Sequence, residues 1–185
     1  TAMRLLRQCP CAVWLVSPTT TPTFKHVLGC VDTSADDELN AELNNKVYEL
    51  ASSISQYHDG RFSIIHAWSI WNEQMIRSRM RPDEFEQVEK DNRDQIASLL
   101  DKFLQNHGGS IGDKNVHLIK DEAPAAISQF VRDEDVDLVV MGTVARSGLA
   151  GIVMGNVAEQ ILNHIECSVL ALKPHGFNCP VRLET

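Results

Sequence analysis

Residues 142–155 hold the densest concentration of chemistry-bearing features in the chain. Gly142, Gly148, Gly151 and Gly155 are four of the ten glycines of the 185-residue sequence. Glycine lets a backbone approach a ligand closely. Arg146 adds a guanidinium fork that matches phosphate oxygens. Asn156 is suited to cap the helix that follows. The start of a helix presents amides with no intrahelical acceptor and the positive end of the helix dipole. The chemistry such a loop offers is capture of an anion, above all a phosphate. A second reading stays open: a long loop whose glycines serve turns only, with Arg146 as a solvated cation.

Other chemistries find less support. Cys9 and Cys11 are one residue apart, and the seven histidines form no H-x3-H or HExxH pattern, so no metal site is expected. A Walker A lysine is missing, as is a carboxylate cluster with metal spacing, so no catalytic residue is assigned. His66 is read as a satisfied strand-end histidine. The cysteines Cys9, Cys11, Cys30, Cys167 and Cys179 are odd in number. No clean apolar segment with a cleavage site lies in residues 1–15. Free thiols packed as small hydrophobes in a reducing cytoplasm are therefore expected.

The loop needs elements to position it. Phe24 to Val31 reads as a strand. A helix follows Asp32-Thr33-Ser34, with Leu39, Leu43, Val47, Leu50 and Ile54 at helical spacing. Asp59-Gly60 ends it, and Phe62 to Ile70 reads as a second strand. Residues 75–91, with Arg77, Arg79 and Arg81, read as a solvated loop, a lid being the other reading. They lie between the second strand and a long helix, with Arg81-Pro82-Asp83 near a helix start; Phe85, Val88, Ile96, Leu99 and Phe103 mark that helix, closed at His107-Gly108-Gly109. Val116 to Ile119 is a short strand. Pro124 opens a helix burying Ala126, Ile127, Phe130 and Val131. Val136 to Met141 is nearly all apolar, as in a parallel strand covered on both faces. A helix with Val157, Ala158, Ile161, Leu162 and Ile165 leads to a last strand, Cys167 to Leu172. This β-α alternation predicts an α/β fold: an open, doubly wound, parallel five-stranded sheet with helices on both faces. Its ligands bind beyond the carboxyl ends of the strands, at the switch in strand order.

Charge limits the partners. The formal net charge is −8, and residues 1–23 carry two arginines and no acid, so the remainder carries −10. That balance argues against duplex nucleic acid and against an anionic membrane surface. No apolar run is long enough to span a bilayer.

A shift of 156 residues lays Leu5 to Pro18 on Ile161 to Pro174. Leu6/Leu162, Cys11/Cys167, Val13/Val169 and Pro18/Pro174 are then identical. The offset is the length of one domain. Residues 1–18 accordingly read as the last helix and strand of a preceding copy, 19–23 as a linker, 24–174 as one domain and 175–185 as a tail. An unrelated helix and edge strand is the other reading.

Three runs carry a family resemblance: Val140-Met141-Gly142-Thr143-Val144-Ala145-Arg146-Ser147-Gly148-Leu149, then Met154-Gly155-Asn156-Val157-Ala158-Glu159-Gln160-Ile161-Leu162, then Cys167-Ser168-Val169-Leu170-Ala171-Leu172-Lys173-Pro174. They resemble the C-terminal signature of universal stress proteins, over residues 24–174. With residues 1–18, the chain is most similar to the second domain of the tandem, E-type members. The resemblance implies a Rossmann-type, adenine-nucleotide alpha-hydrolase-like sheet. It also implies an adenine-nucleotide site holding ATP with Mg. The nucleotide-binding branch carries G-x2-G-x9-G-[S/T], and Gly142 and Gly155 match its first and third glycines. Ala145 replaces the second glycine and Asn156 the Ser or Thr, which degrades the pattern. The resemblance places Asp32 on the ribose or adenine, and Ala67 and Met141 around the base. Together with Arg146 and Val157, these are the candidate site residues. Asp32 has a second reading as a helix cap, and Ala67 and Met141 as core.

Two functions follow as expectations. One is a non-enzymatic, cytoplasmic stress-response module with a partly degraded ATP site. The other is a nucleotide-independent scaffold associating through its last strand. Universal stress proteins associate by that strand, which implies antiparallel pairing of Cys11–Val16 with Cys167–Leu172, contributed by a sister domain or a homodimer.

Overall fold

In the computed structural model, residues 2–18, 23–34, 38–143 and 155–175 are described. Twelve elements follow in chain order: α1 (Ala2–Gln8), β1 (Val13–Leu15), β2 (His26–Cys30), α2 (Glu38–Tyr57), β3 (Arg61–Trp68), α3 (Glu73–Arg77), α4 (Pro82–Gln105), β4 (Val116–Lys120), α5 (Ala123–Asp133), β5 (Leu138–Gly142), α6 (Asn156–His164) and β6 (Ser168–Leu172). The strands form one sheet in the order β1-β6-β5-β2-β3-β4. Strands β2 to β6 are parallel, as expected. The sheet has six strands rather than the five expected. β1 adds itself antiparallel to β6, pairing Val13 with Ala171, Trp14 with Leu170 and Leu15 with Val169.

Strand alternation sorts the core into two layers. Val139, Met141, Val169 and Ala171 face α5 and α6, where they meet Ile127, Phe130, Ala158 and Ile161. Leu138, Val140, Leu170 and Leu172 face the other way, onto Leu43, Val47 and Ala51 of α2 and Leu100 and Leu104 of α4. A side-chain period of two makes each of these strands serve both cores, so β5 is apolar throughout.

Polar tethers fix the amino ends of the strands. One Asp137 oxygen, Oδ2, accepts the amides of Lys25 (2.7 Å) and His26 (2.9 Å), locking β2 to the start of β5. The buried His26 ring bridges the Glu134 carbonyl and the Ser63 hydroxyl.

Three local readings need correction. The buried face of α2 is Leu43, Asn44, Val47, Ala51 and Ser55. Leu39 and Leu50, expected inside, are 56% and 39% exposed, because apolar spacing alone sets the stripe only to within a residue or two. The second strand stops at Trp68, and Asn72 adopts a left-handed conformation before α3. The segment 75–91 is not a solvated loop: it holds most of α3 and the first turns of α4. Phe85 is buried there beneath the Arg77 guanidinium. Lys120 ties both helices to β4 through Glu73 (2.9 Å) and Glu89 (3.0 Å).

Gly142 ends β5 directly over α2. A Cβ at this position would lie 2.4 Å from Cδ2 of Leu43, a buried side chain. Gly142→Ala is expected to lower the unfolding free energy by about 1–3 kcal/mol through overpacking. A second change, Leu43→Ala, should make that increment largely disappear in a urea-denaturation double-mutant cycle. Equal increments in both backgrounds would refute the packing role.

Candidate functional site

The strand order reverses between β2 and β5. From β2 the chain runs outward through β3 to β4, then returns to pair β5 on the opposite side of β2. The connections leaving the carboxyl ends of these two strands diverge to opposite faces, and a crevice opens between them. A cleft of about 540 Å³ occupies this position.

Seven of the expected site residues line it: Asp32, Ala67, Met141, Gly142, Gly155, Asn156 and Val157. Ala145 and Arg146 lie outside the described residues. The wall facing α5 and α6 is apolar, formed by Ile65, Ala67, Ile127, Met141, Ala158 and Ile161. Met141 belongs to this wall and to the core together.

Asp32 sits just beyond β2. Its Oδ1 accepts the Ser34 amide (3.2 Å) and hydroxyl (2.6 Å), closing a turn. Helix α2 begins later, at Glu38. The position of Asp32 is set from behind by buried Asn44, whose amide group accepts from the Asp32 N–H (3.1 Å) and donates to the Asp32 carbonyl (2.7 Å). Asn44 was not anticipated, since a polar residue on a helix reads as solvent-facing.

Gly142 and Gly155 also take part in packing and hydrogen bonding. The close approach at Gly142 is to Leu43. Gly155 has φ −65°, open to any residue, and its N–H donates to the Thr143 carbonyl (3.0 Å). Gly155, rather than Asn156, occupies the N-cap position, and Asn156 is the first helical residue. The helix start keeps its anion-binding character: the first-turn amides of α6 have no acceptor within the helix. Fully buried Thr143 anchors the segment, its N–H and Oγ–H both donating to the Leu172 carbonyl at 3.1 Å.

Sequence reasoning did not assign three other lining residues, His66, Asp121 and Glu122. The last two follow the carboxyl end of β4, where the strand-end rule points. His66 is 1% exposed, and its Nδ1 accepts the Thr33 N–H at 3.3 Å, which places the ring proton on Nε2. Burial lowers its pKa from 6.5 to about 4. Among the described residues, no group of three or more His, Cys, Asp or Glu is placed to hold a metal. No described helix is long and apolar enough to cross a membrane.

An open, doubly wound α/β sheet with an apolar crevice and a helix N-terminus at its switch point defines the adenine-nucleotide alpha-hydrolase-like class. The chain belongs to the universal stress protein family, whose pattern it matches over residues 23–173. It is similar to Universal stress protein E of Photorhabdus laumondii, with 27% identity over 97% of this chain and 57% of that protein. Universal stress protein E of Escherichia coli K12 is 26% identical over 100% of this chain and 58% of its own length. The chain thus spans somewhat more than half the length of these relatives. Among solved structures, a functionally unknown protein from Pseudomonas aeruginosa PAO1 aligns with a TM-score of 0.75 and 26% identity, over 93% of this chain and 55% of that one.

The neutral, buried His66 imidazole makes stability depend on pH. Above pH 6.5 the ring is neutral in both folded and unfolded chains. As pH falls from 6.5 toward about 4, the unfolded chain takes up a proton that the folded protein refuses. Stability is therefore lost across that window, on the order of 3 kcal/mol from this group. Burial lowers His26, His107 and His117 too, with the same sign. Urea denaturation at stepped pH should show the decline, shallower in His66→Asn. A flat profile through that window would refute the assignment.

Proposed function

We propose that this chain is a non-enzymatic, cytoplasmic stress-response module that holds an adenine nucleotide in the switch-point cleft. One observation carries the reading: the apolar wall containing Ala67 and Met141 and the start of α6 face the same cleft. The wall suits the flat face of a purine. Asp32 suits a ribose hydroxyl, and the α6 amides suit a phosphate. ATP with Mg is the ligand the family pattern suggests. The described side chains suit the nucleoside, and the α6 amides suit its phosphate. Binding stabilises the folded form by mass action. Isothermal titration with adenosine, AMP and ATP is expected to give heat for at least one of them. Silence for all three at roughly millimolar ligand, well above typical ligand affinities, would refute the reading. Incubation with ATP and Mg should release no phosphate above the blank.

A second reading, association through the last strand, is favoured by the register of β1 on β6. Under the 156-residue shift, Val13 and Leu15 become Val169 and Ala171, and Trp14 becomes Leu170. The observed pairs join Val13 to Ala171 and Leu15 to Val169, with Trp14 against Leu170. Each segment pairs as its own counterpart would across a two-fold axis, the register of an isologous contact. We infer that residues 1–18 occupy the place of a sister domain's last helix and strand. Deleting them bares the β6 edge, and an exposed edge invites strand pairing. The shortened chain is expected to form a homodimer by light scattering. A monomer at high concentration would refute this.

A further inference from the structure

Among the described residues that line the cleft, His66 is the most deeply buried polar side chain, at 1% exposure. Its two nitrogens differ. Nδ1 faces the turn after β2, where the Thr33 N–H donates to it at 3.3 Å and the Thr33 hydroxyl lies at the same distance. A backbone N–H can only donate, so Nδ1 accepts and the ring proton stands on Nε2. No described residue accepts that proton. A neutral imidazole has one donor and one acceptor, and here only the acceptor is engaged.

Nor is the donor sealed in the core. Among the described residues, the Ser128 hydroxyl is the only side-chain nitrogen or oxygen that is both closed off from solvent and unpartnered. Nε2 is unpartnered, so the small remaining exposure of His66 includes this atom, and the opening that the residue lines is the cleft. Its setting there is apolar, with Ile65 and Ala67 on either side of it along β3 and Ile96 of α4 on the same cleft. A buried donor without an acceptor is costly, and the low local dielectric strengthens whatever hydrogen bond it makes. Burial also keeps the ring neutral, with a pKa of about 4. A neutral donor suits an uncharged acceptor, just as the Asp32 carboxylate suits hydroxyl donors. An adenine offers three such acceptors in its rings, N1, N3 and N7.

We propose that His66 holds the base of the bound nucleotide by donating its Nε2–H to one ring nitrogen, as a specificity-determining residue within the nucleotide reading above. Thr33 fixes the tautomer before the ligand arrives, so binding requires no proton transfer and little reorganisation. Thr33 directly follows Asp32, whose backbone is held by Asn44. One turn thereby positions both the ribose partner, Asp32, and the base partner, His66.

The test is calorimetric titration of the whole chain with adenosine and its 1-deaza, 3-deaza and 7-deaza analogues, each of which replaces one ring nitrogen by C–H. One of the three is expected to bind about tenfold more weakly than adenosine, the scale of one buried hydrogen bond. His66→Asn keeps a carbonyl acceptor for Thr33 but is too short to place a donor where Nε2 stands. It should weaken adenosine about tenfold and abolish the penalty of that one analogue, as a coupled pair requires. His66→Gln, whose amide reaches further, should recover most of the affinity. Circular dichroism checks the fold of both variants, and the analogue series on the unaltered chain needs no substitution. Equal adenosine binding by the unaltered chain and His66→Asn overturns the role of His66 and leaves the nucleotide reading standing. So do three analogues that all match adenosine, or a penalty that persists in His66→Asn. Silence from adenosine where AMP or ATP gives heat overturns recognition of the base. Silence from all three overturns the nucleotide reading together with it.

Discussion

The parallel pairing of β2 with β5 is the constraint on which the rest of the structure depends. Val27 opposite Leu138 and Cys30 opposite Met141 set the register. With these two strands side by side, the chain can wind outward in both directions. The connections then cover both faces, and neither strand can present a polar side to water. Two separate cores result, and one crevice opens where the connections part. The Asp137 carboxylate, receiving two β2 amides, reinforces this pairing from the opposite end.

Around the crevice, core packing and cleft lining share residues. Met141 is both core and wall. Gly142 lines the cleft, but the space beside it is taken by Leu43. Thr143 commits its donors to β6, which holds the departure point of the connection to α6. Asn44, inside α2, fixes the backbone of Asp32. A buried amide that engages both polar groups of one residue, with Asn40 donating to the same carbonyl at 2.6 Å, holds the turn in place.

The amino-terminal segment solves a different problem. β6 would otherwise be a sheet edge of apolar residues with unpaired amides and carbonyls. β1 covers it, and Trp14 stacks on Phe24 with ring centroids 5.6 Å apart. Buried Lys173 donates to the Leu6 carbonyl at 2.5 Å, and an Arg7–Glu159 ion pair joins α1 to α6. Leu6 is fully buried in the core shared with α5 and α6. The segment is therefore part of the domain's packing.

By itself the sequence determined the alternation of strands and helices, because apolar period and glycine–proline punctuation are local properties. The glycine-rich run and the family resemblance also marked seven residues that the fold brings to one cleft. What the sequence left undecided depends on neighbours distant in the chain. Which stripe of α2 turns inward depends on the sheet beneath it, so Leu39 and Leu50 read as core and stand outside. The glycine pattern at 142 suggested a ligand, whereas the atom that excludes a side chain there belongs to Leu43, 99 residues earlier. The place of Asp121 and Glu122 was equally hidden. Asp121 and Glu122 are ordinary surface acids until β4 is placed in register beside β3, and only then do they share an opening with Asp32. Local propensity is written residue by residue, but steric contact and electrostatic field are sums over space, and only the tertiary structure performs them.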